Sequence, residues 1–182
     1  MKLMTRKTLA SVILPFISAL SCSADWDTDK AIEKAGDVLA LALPLTAFTA
    51  SYTMDDQDGR YQFLLSYGST FALTQVLKRT VQKERPDGSN NLSFPSGHTS
   101  SAFSGASFLA KRYGWDIGIP AYIAASFTGF SRVHADKHDW IDVTAGAILA
   151  IGMNQLFVDK PDMNVAALPI KDGFQLSLSY RF

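Results

Sequence analysis

Five long stretches with little or no charge dominate this chain: Val38–Met54, Tyr61–Leu77, Asn91–Ala110, Ile117–Ser131 and Val143–Val158. An ordinary strand runs about five to six residues, so stretches of this length read as helices. The breaks between them carry turn chemistry. They include Asp55-Asp56-Gln57-Asp58-Gly59, Arg85-Pro86-Asp87-Gly88 and Tyr113-Gly114-Trp115-Asp116. No internal repeat and no low-complexity linker interrupts the series.

Length does not decide whether these helices cross a membrane. They fall at or below the short end of the spanning range, which is about 20 residues. Composition is also intermediate. Hydrophobic residues make up 47% and charged residues 19%, with a mean hydropathy of +0.07. Ser, Thr, Gln and Gly recur inside the apolar stretches, as at Gln62, Ser66, Ser69, Thr74 and Gln75. Gly97, Ser101 and Gly105, four residues apart, would let helices approach closely in lipid or in water. Membrane association and a soluble periplasmic bundle both remain open, with the first preferred. A formal net charge of zero argues against a nucleic-acid partner, which calls for a basic excess.

The two ends differ from the middle. Residues 1–24 read as an export signal. Lys2, Arg6 and Lys7 precede the uncharged run Leu9–Leu20, and Ser21-Cys22-Ser23-Ala24 offers small residues for cleavage. Cys22 is the single cysteine, so no intramolecular disulfide is available. Without residues 1–24 the chain is net acidic. Residues 25–160 are expected to form the helical domain. Residues 161–182 read as a β-hairpin tail, with Lys171-Asp172-Gly173 as its turn. Phe174, Leu176, Leu178, Tyr180 and Phe182 alternate with polar residues and give one apolar face.

Three clusters carry chemistry. The first is Lys78 and, six residues on, Arg85-Pro86. The second is Pro95-Ser96-Gly97-His98. The third is Ser131-Arg132, then His138, then Asp142. Lys78, Arg85 and Arg132 sit at the ends of apolar stretches. A guanidinium fork matches two phosphate oxygens, and an ammonium adds a compact charge. Ser96-Gly97 falls at an expected helix start, where free backbone N–H groups favour an anion. His138 and Asp142, spaced i, i+4, would share a face if helical. A carboxylate bonded to one imidazole nitrogen would free the other to attack. His98, beside the anion site, is placed to protonate a leaving oxygen. His134 stands outside these clusters and is expected to be an exposed loop histidine. His134, Asp136 and His138 are the one run with metal-ligand spacing, and no metal is expected there.

The three clusters together resemble the phosphatidic acid phosphatase type 2 superfamily. Its pattern is Lys-x6-Arg-Pro, Pro-Ser-Gly-His and Ser-Arg-x5-His-x3-Asp. Lys78, Arg85, Pro86, Pro95, Ser96, Gly97, His98, Ser131, Arg132, His138 and Asp142 fill every specified position in order. The resemblance covers roughly residues 36–158. It implies an all-α bundle of about five to six helices, here followed by the short C-terminal β-hairpin. It also implies a phosphatase with no metal and no cofactor that works through a phosphohistidine. His138 would be the nucleophile, Asp142 its partner and His98 the general acid. Lys78, Arg85, Ser96, Gly97 and Arg132 would hold the phosphate. The expected substrate is a lipid phosphate or diphosphate, of isoprenyl diphosphate or phosphatidate type. The expected location is the bacterial cell envelope, with the site on the periplasmic side of the inner membrane or in the periplasm. A soluble periplasmic acid phosphatase for small phosphomonoesters is the alternative.

Overall fold

In the computed structural model, the described residues are 27–160, 162–170 and 173–181, the last two stretches by backbone alone. The expected export signal therefore lies outside the described residues. Five helices are present among them: α1 (Thr28–Thr53), α2 (Gln57–Val81), α3 (Gly97–Tyr113), α4 (Trp115–His134) and α5 (Trp140–Phe157). This is the lower of the two helix counts expected. Asp162–Ile170 (β1) and Gly173–Arg181 (β2) pair antiparallel, from Asp162 opposite Arg181 to Ile170 opposite Gly173. Lys171, Asp172 and Phe182 lie outside the described residues.

Local chemistry sets the helix ends. Asp56 caps α2, its carboxylate accepting from the Gly59 N–H at 2.8 Å. Gln82 ends that helix in the left-handed region, at φ 48°. The expected break between α3 and α4 shrinks to Gly114, at φ 96°. The third helix begins six residues later than the uncharged stretch, because Asn91–Ser96 form a loop that Pro95 helps to hold out of the helix. The first helix begins ten residues earlier, in a charged turn that an apolar criterion misses.

Helix α3 is the central element and packs against all four other helices. Its core partners are small. Ala47, Ala102, Ala106, Ala125 and Ala150 are fully buried, with Phe63 and Phe108 edge to face at 4.9 Å. The interior also holds hydroxyls, several satisfied by their own helix: Thr70 Oγ1 donates to the Ser66 carbonyl and Ser104 Oγ to the Ser100 carbonyl, each at 2.8 Å. Small residues let the helices close in. An added Cβ at Gly146 on α5 would stand 2.6 Å from the Ser96 carbonyl oxygen.

Large apolar side chains face outward instead. Leu41 and Leu45 of α1, Leu64 and Phe71 of α2, Ile119 and Ile123 of α4, and Ile148 and Leu156 of α5 are all exposed. Helices α1 and α5 are long and apolar enough to cross a membrane. One end of the bundle is tied by a buried fork: Arg112 Nε and Nη2 donate to the two Asp56 oxygens at 2.7 and 2.6 Å, and Tyr113 Oη adds a third donor at 3.0 Å. The three sequence clusters converge at the opposite end.

Candidate active site

Helix α2 delivers Lys78 in its last turn, largely buried, with Nζ donating to the Leu92 carbonyl at 2.7 Å. The loop 82–96 then carries Arg85. Its backbone is pinned by Arg85 N–H donating to the Asn90 carbonyl and Gly88 N–H donating to the Arg85 carbonyl. Arg85 Nε is buried and has no hydrogen-bond partner. A buried donor left unpaired is costly, and an oxyanion in the adjacent cavity would satisfy it.

Ser96 caps α3, its hydroxyl accepting from the Thr99 N–H at 3.4 Å and from Thr99 Oγ1 at 3.0 Å. Its own N–H donates to the Asp142 carbonyl at 3.0 Å, which ties the second cluster to the third. Ser96 is thus buried beneath the site, while Gly97 and His98 line the cavity. First-turn N–H groups have no acceptor within their own helix, and the helix dipole adds positive potential there.

The third cluster departs from its sequence reading. Helix α5 begins at Trp140, so His138 lies in the preceding loop, not one turn before Asp142 on a shared helix face. Its N–H donates to the Arg132 carbonyl at 3.2 Å. Asp139 and Asp142 form a reciprocal capping box at the start of α5. The His138 Nδ1 to Asp142 Oδ2 distance is 3.7 Å, too long for a hydrogen bond. Ser93 lies between them, with Oγ 2.5 Å from Asp142 Oδ2 and 3.3 Å from His138 Nδ1. Lys83 binds the other side of the carboxylate, 2.9 Å from Asp142 Oδ1, and also pairs with Asp139.

Arg132 sits at the end of α4 with 3% exposure, its guanidinium turned onto α1. Nη1 donates to Asp37 Oδ1 at 2.7 Å, Nη2 to the Glu33 carbonyl at 2.5 Å, and Nε to Ser131 Oγ at 3.2 Å. The same Asp37 oxygen is 3.1 Å from His98 Nε2. Asp37 therefore joins a cation and a histidine of two different clusters. His134 is exposed at the end of α4, stacked on Phe130 and paired with Asp29 at 2.9 Å, apart from the site.

These groups border a cavity of about 410 Å³. Lys78, Arg85, Gly97, His98 and His138 line its polar end, and Ala40, Leu41, Tyr67 and Phe71 line a wall between α1 and α2. Burial, followed by the positive charges of Lys78 and Arg85, pushes His138 down to about 4, with Asp142 acting in the opposite direction. The ring is therefore neutral at physiological pH and keeps a lone pair. The arrangement offers a neutral imidazole, a second histidine and several cations around one anion-sized space.

Of the residues expected at the site, Lys78, Arg85, Gly97, His98 and His138 line the cavity. Ser96, Arg132 and Asp142 stand behind it as buried supports. The sequence reading missed Ser93, Lys83 and Asp37. Lys83 reads as part of a solvated basic face, and Ser93 and Asp37 belong to no motif considered.

Residues 61–165 match the model of the PAP2 superfamily. The lipid A 4'-phosphatase of Helicobacter pylori is 34% identical over 140 residues, covering 71% of this chain and 70% of that protein. The lipid A 1-phosphatase of Porphyromonas gingivalis is 41% identical over 83 residues, 43% of this chain but only 18% of that longer protein. Among solved structures, Aquifex aeolicus LpxE superposes with a TM-score of 0.60 at 20% identity, covering 84% of this chain and 91% of that one. The first transmembrane PAP2 type phosphatidylglycerolphosphate phosphatase from Bacillus subtilis superposes at 0.54 and 24% identity, covering 83% and 92%. These two share the fold. With the family model spanning more than half of the sequence and a relative matched along most of both chains, this chain belongs to the PAP2 superfamily and is one of its phosphoric ester hydrolases.

Proposed function

We propose that this enzyme removes a phosphate group from a membrane lipid of lipid A type, through a phosphohistidine on His138. The observation that carries the reading is the cavity itself. A cationic end containing two histidines and the unpaired Arg85 Nε continues into an apolar wall formed by Leu41 and Phe71. A phosphorylated headgroup suits the first part and an acyl chain the second. The names of the two curated relatives support a phosphorylated saccharolipid over an isoprenyl diphosphate.

In this mechanism Lys78, Arg85 and the N–H groups of Gly97 and His98 hold the phosphoryl oxygens, with Arg132 adding charge behind them. Such donors act mainly on the charge that grows in the transition state. The His138 Nε2 lone pair attacks phosphorus as the bond to the leaving oxygen breaks. His98 gives that oxygen a proton. Water then attacks phosphorus, His98 takes back a proton, and the N–P bond breaks to return the lone pair to His138.

The outward-facing apolar side chains favour a bundle embedded in a bilayer. Its interior of small residues and self-satisfied hydroxyls suits that solvent. The start of α1 lies at the site end of the bundle, so the reading of residues 1–24 as an export signal favours a site on the periplasmic side. The test is phosphate release by the purified protein in excess chelator. The panel holds lipid A, an isoprenyl diphosphate, phosphatidate and a soluble phosphomonoester. Fastest turnover on lipid A is expected. Faster turnover of the soluble ester than of every lipid would overturn the proposal.

A further inference from the structure

We propose that Ser93 is a positioning residue that sets the tautomer of His138 by linking it to Asp142. The proposal rests on the reading of His138 as nucleophile. It starts from the distances at the site. The carboxylate and the imidazole are 3.7 Å apart and make no direct hydrogen bond. Ser93, fully buried, occupies the space between them.

Proton counting fixes the direction of the link. The Asp142 carboxylate, paired with Lys83 through Oδ1, has only acceptor oxygens. Ser93 Oγ, 2.5 Å from Oδ2, must therefore donate its one proton there. That leaves Ser93 Oγ with lone pairs alone toward His138. At 3.3 Å, Nδ1 must be the donor. A neutral imidazole with its proton on Nδ1 carries its lone pair on Nε2, the nitrogen required for attack. The hydroxyl thus selects the reactive tautomer and extends the reach of the carboxylate.

The serine is itself held in place. Its N–H donates to the Lys83 carbonyl at 3.0 Å, and its carbonyl faces Lys78 Nζ at 3.5 Å. Asp142 Oδ2 also accepts the Asp139 N–H at 3.2 Å, through the cap of α5. The link therefore joins the loop after α2 to the start of α5. During attack the Nε2 lone pair forms the N–P bond, and the proton on Nδ1 stays in place. The positive charge that develops on the ring is stabilised through Ser93 by Asp142. When water breaks the N–P bond, the ring returns to the same tautomer.

Ser93→Ala and Ser93→Thr, compared with the wild type, test this. Ser93→Ala is expected to lower kcat roughly ten- to a hundredfold, as loss of an outer hydrogen-bond partner does, with KM unchanged. Ser93→Thr, which keeps the hydroxyl, should recover most of that loss. Nitrogen-15 NMR of the ring nitrogens in detergent-solubilised full-length protein reads the tautomer without turnover, with His138→Ala assigning the signals. The wild type should show His138 protonated at Nδ1, and Ser93→Ala a mixture of both tautomers. An unchanged tautomer in Ser93→Ala, or a kcat equal to that of the wild type, would overturn the proposal. If His138→Ala stays active, the nucleophile assignment fails instead, and the NMR result still judges the Ser93 link.

Discussion

Gly146 lies on α5 where that helix crosses the start of α3, and Gly146→Ala tests how tightly the site depends on that crossing. The new Cβ would stand 2.6 Å from the Ser96 carbonyl oxygen and 3.3 Å from the Ser100 nitrogen. Ordinary contact begins near 3.4 Å, so the two helices must part by about 0.8 Å. The atoms in the way are backbone, which cannot rotate aside. The movement would separate Asp142 on α5 from the first turn of α3, breaking the register set by the bond from Ser96 N–H to the Asp142 carbonyl. A misplacement near 1 Å costs on the order of a hundredfold in rate. Overpacking should remove about 1–3 kcal/mol of stability. Gly152→Ala is the control: the same helix, with no atom within 4 Å of the new Cβ. That change should be neutral or slightly stabilising, because Ala is the better helix former. The assay is kcat/KM on a lipid phosphate together with the thermal midpoint. A Gly146→Ala enzyme with the kcat/KM of the wild type would refute the argument that this crossing sets the site geometry.

Three further outcomes follow from the electrostatics. The His138 ring is held neutral down to about 4 by burial and by Lys78 and Arg85, so the acid limb of kcat/KM should lie well below 6.5. The unfolded chain takes up a proton there below about 6.5 but the folded chain only below about 4, so stability should fall as pH drops through that window. Thermal midpoints measured across it, for the wild type and for His138→Ala, check the sign. At the far end of the bundle, Asp56→Ala would strand the buried Arg112 guanidinium, with a loss of about 3–5 kcal/mol. Turnover at low temperature should be retained, because that pair lies remote from the cavity; chemical denaturation and a rate assay on one preparation check both.

The legible part of the fold was the part written in local pattern. Apolar length marked all five helices, but it placed their ends poorly where polar side chains do the capping. Asp139 and Asp142 illustrate this. An acidic residue at the cap and another three positions later is a helix-start signal. The i, i+4 spacing of His138 and Asp142, which would put them on one face only if both were helical, drew attention away from it; the helix starts at Trp140, so the histidine lies in the loop before it. Lys78, Arg85, Gly97, His98 and His138 were legible because their types and spacings form one pattern, and they line one cavity. Ser93, Lys83 and Asp37 were not, because each acts through a tertiary contact with no periodic trace. Asp37 lies 61 residues before His98 and 95 before Arg132, and only the packing of α1 against the bundle brings the three together.

The central claim is that phosphate passes through His138. Rapid mixing with a phosphorus-32-labelled aryl phosphate, quenched in alkali to preserve N–P bonds, tests it most directly. The activated leaving group departs without a proton, so His98→Ala should still be labelled, and should accumulate label because hydrolysis of the intermediate then lacks its base. His138→Ala should show no label. Label retained in His138→Ala would contradict the account.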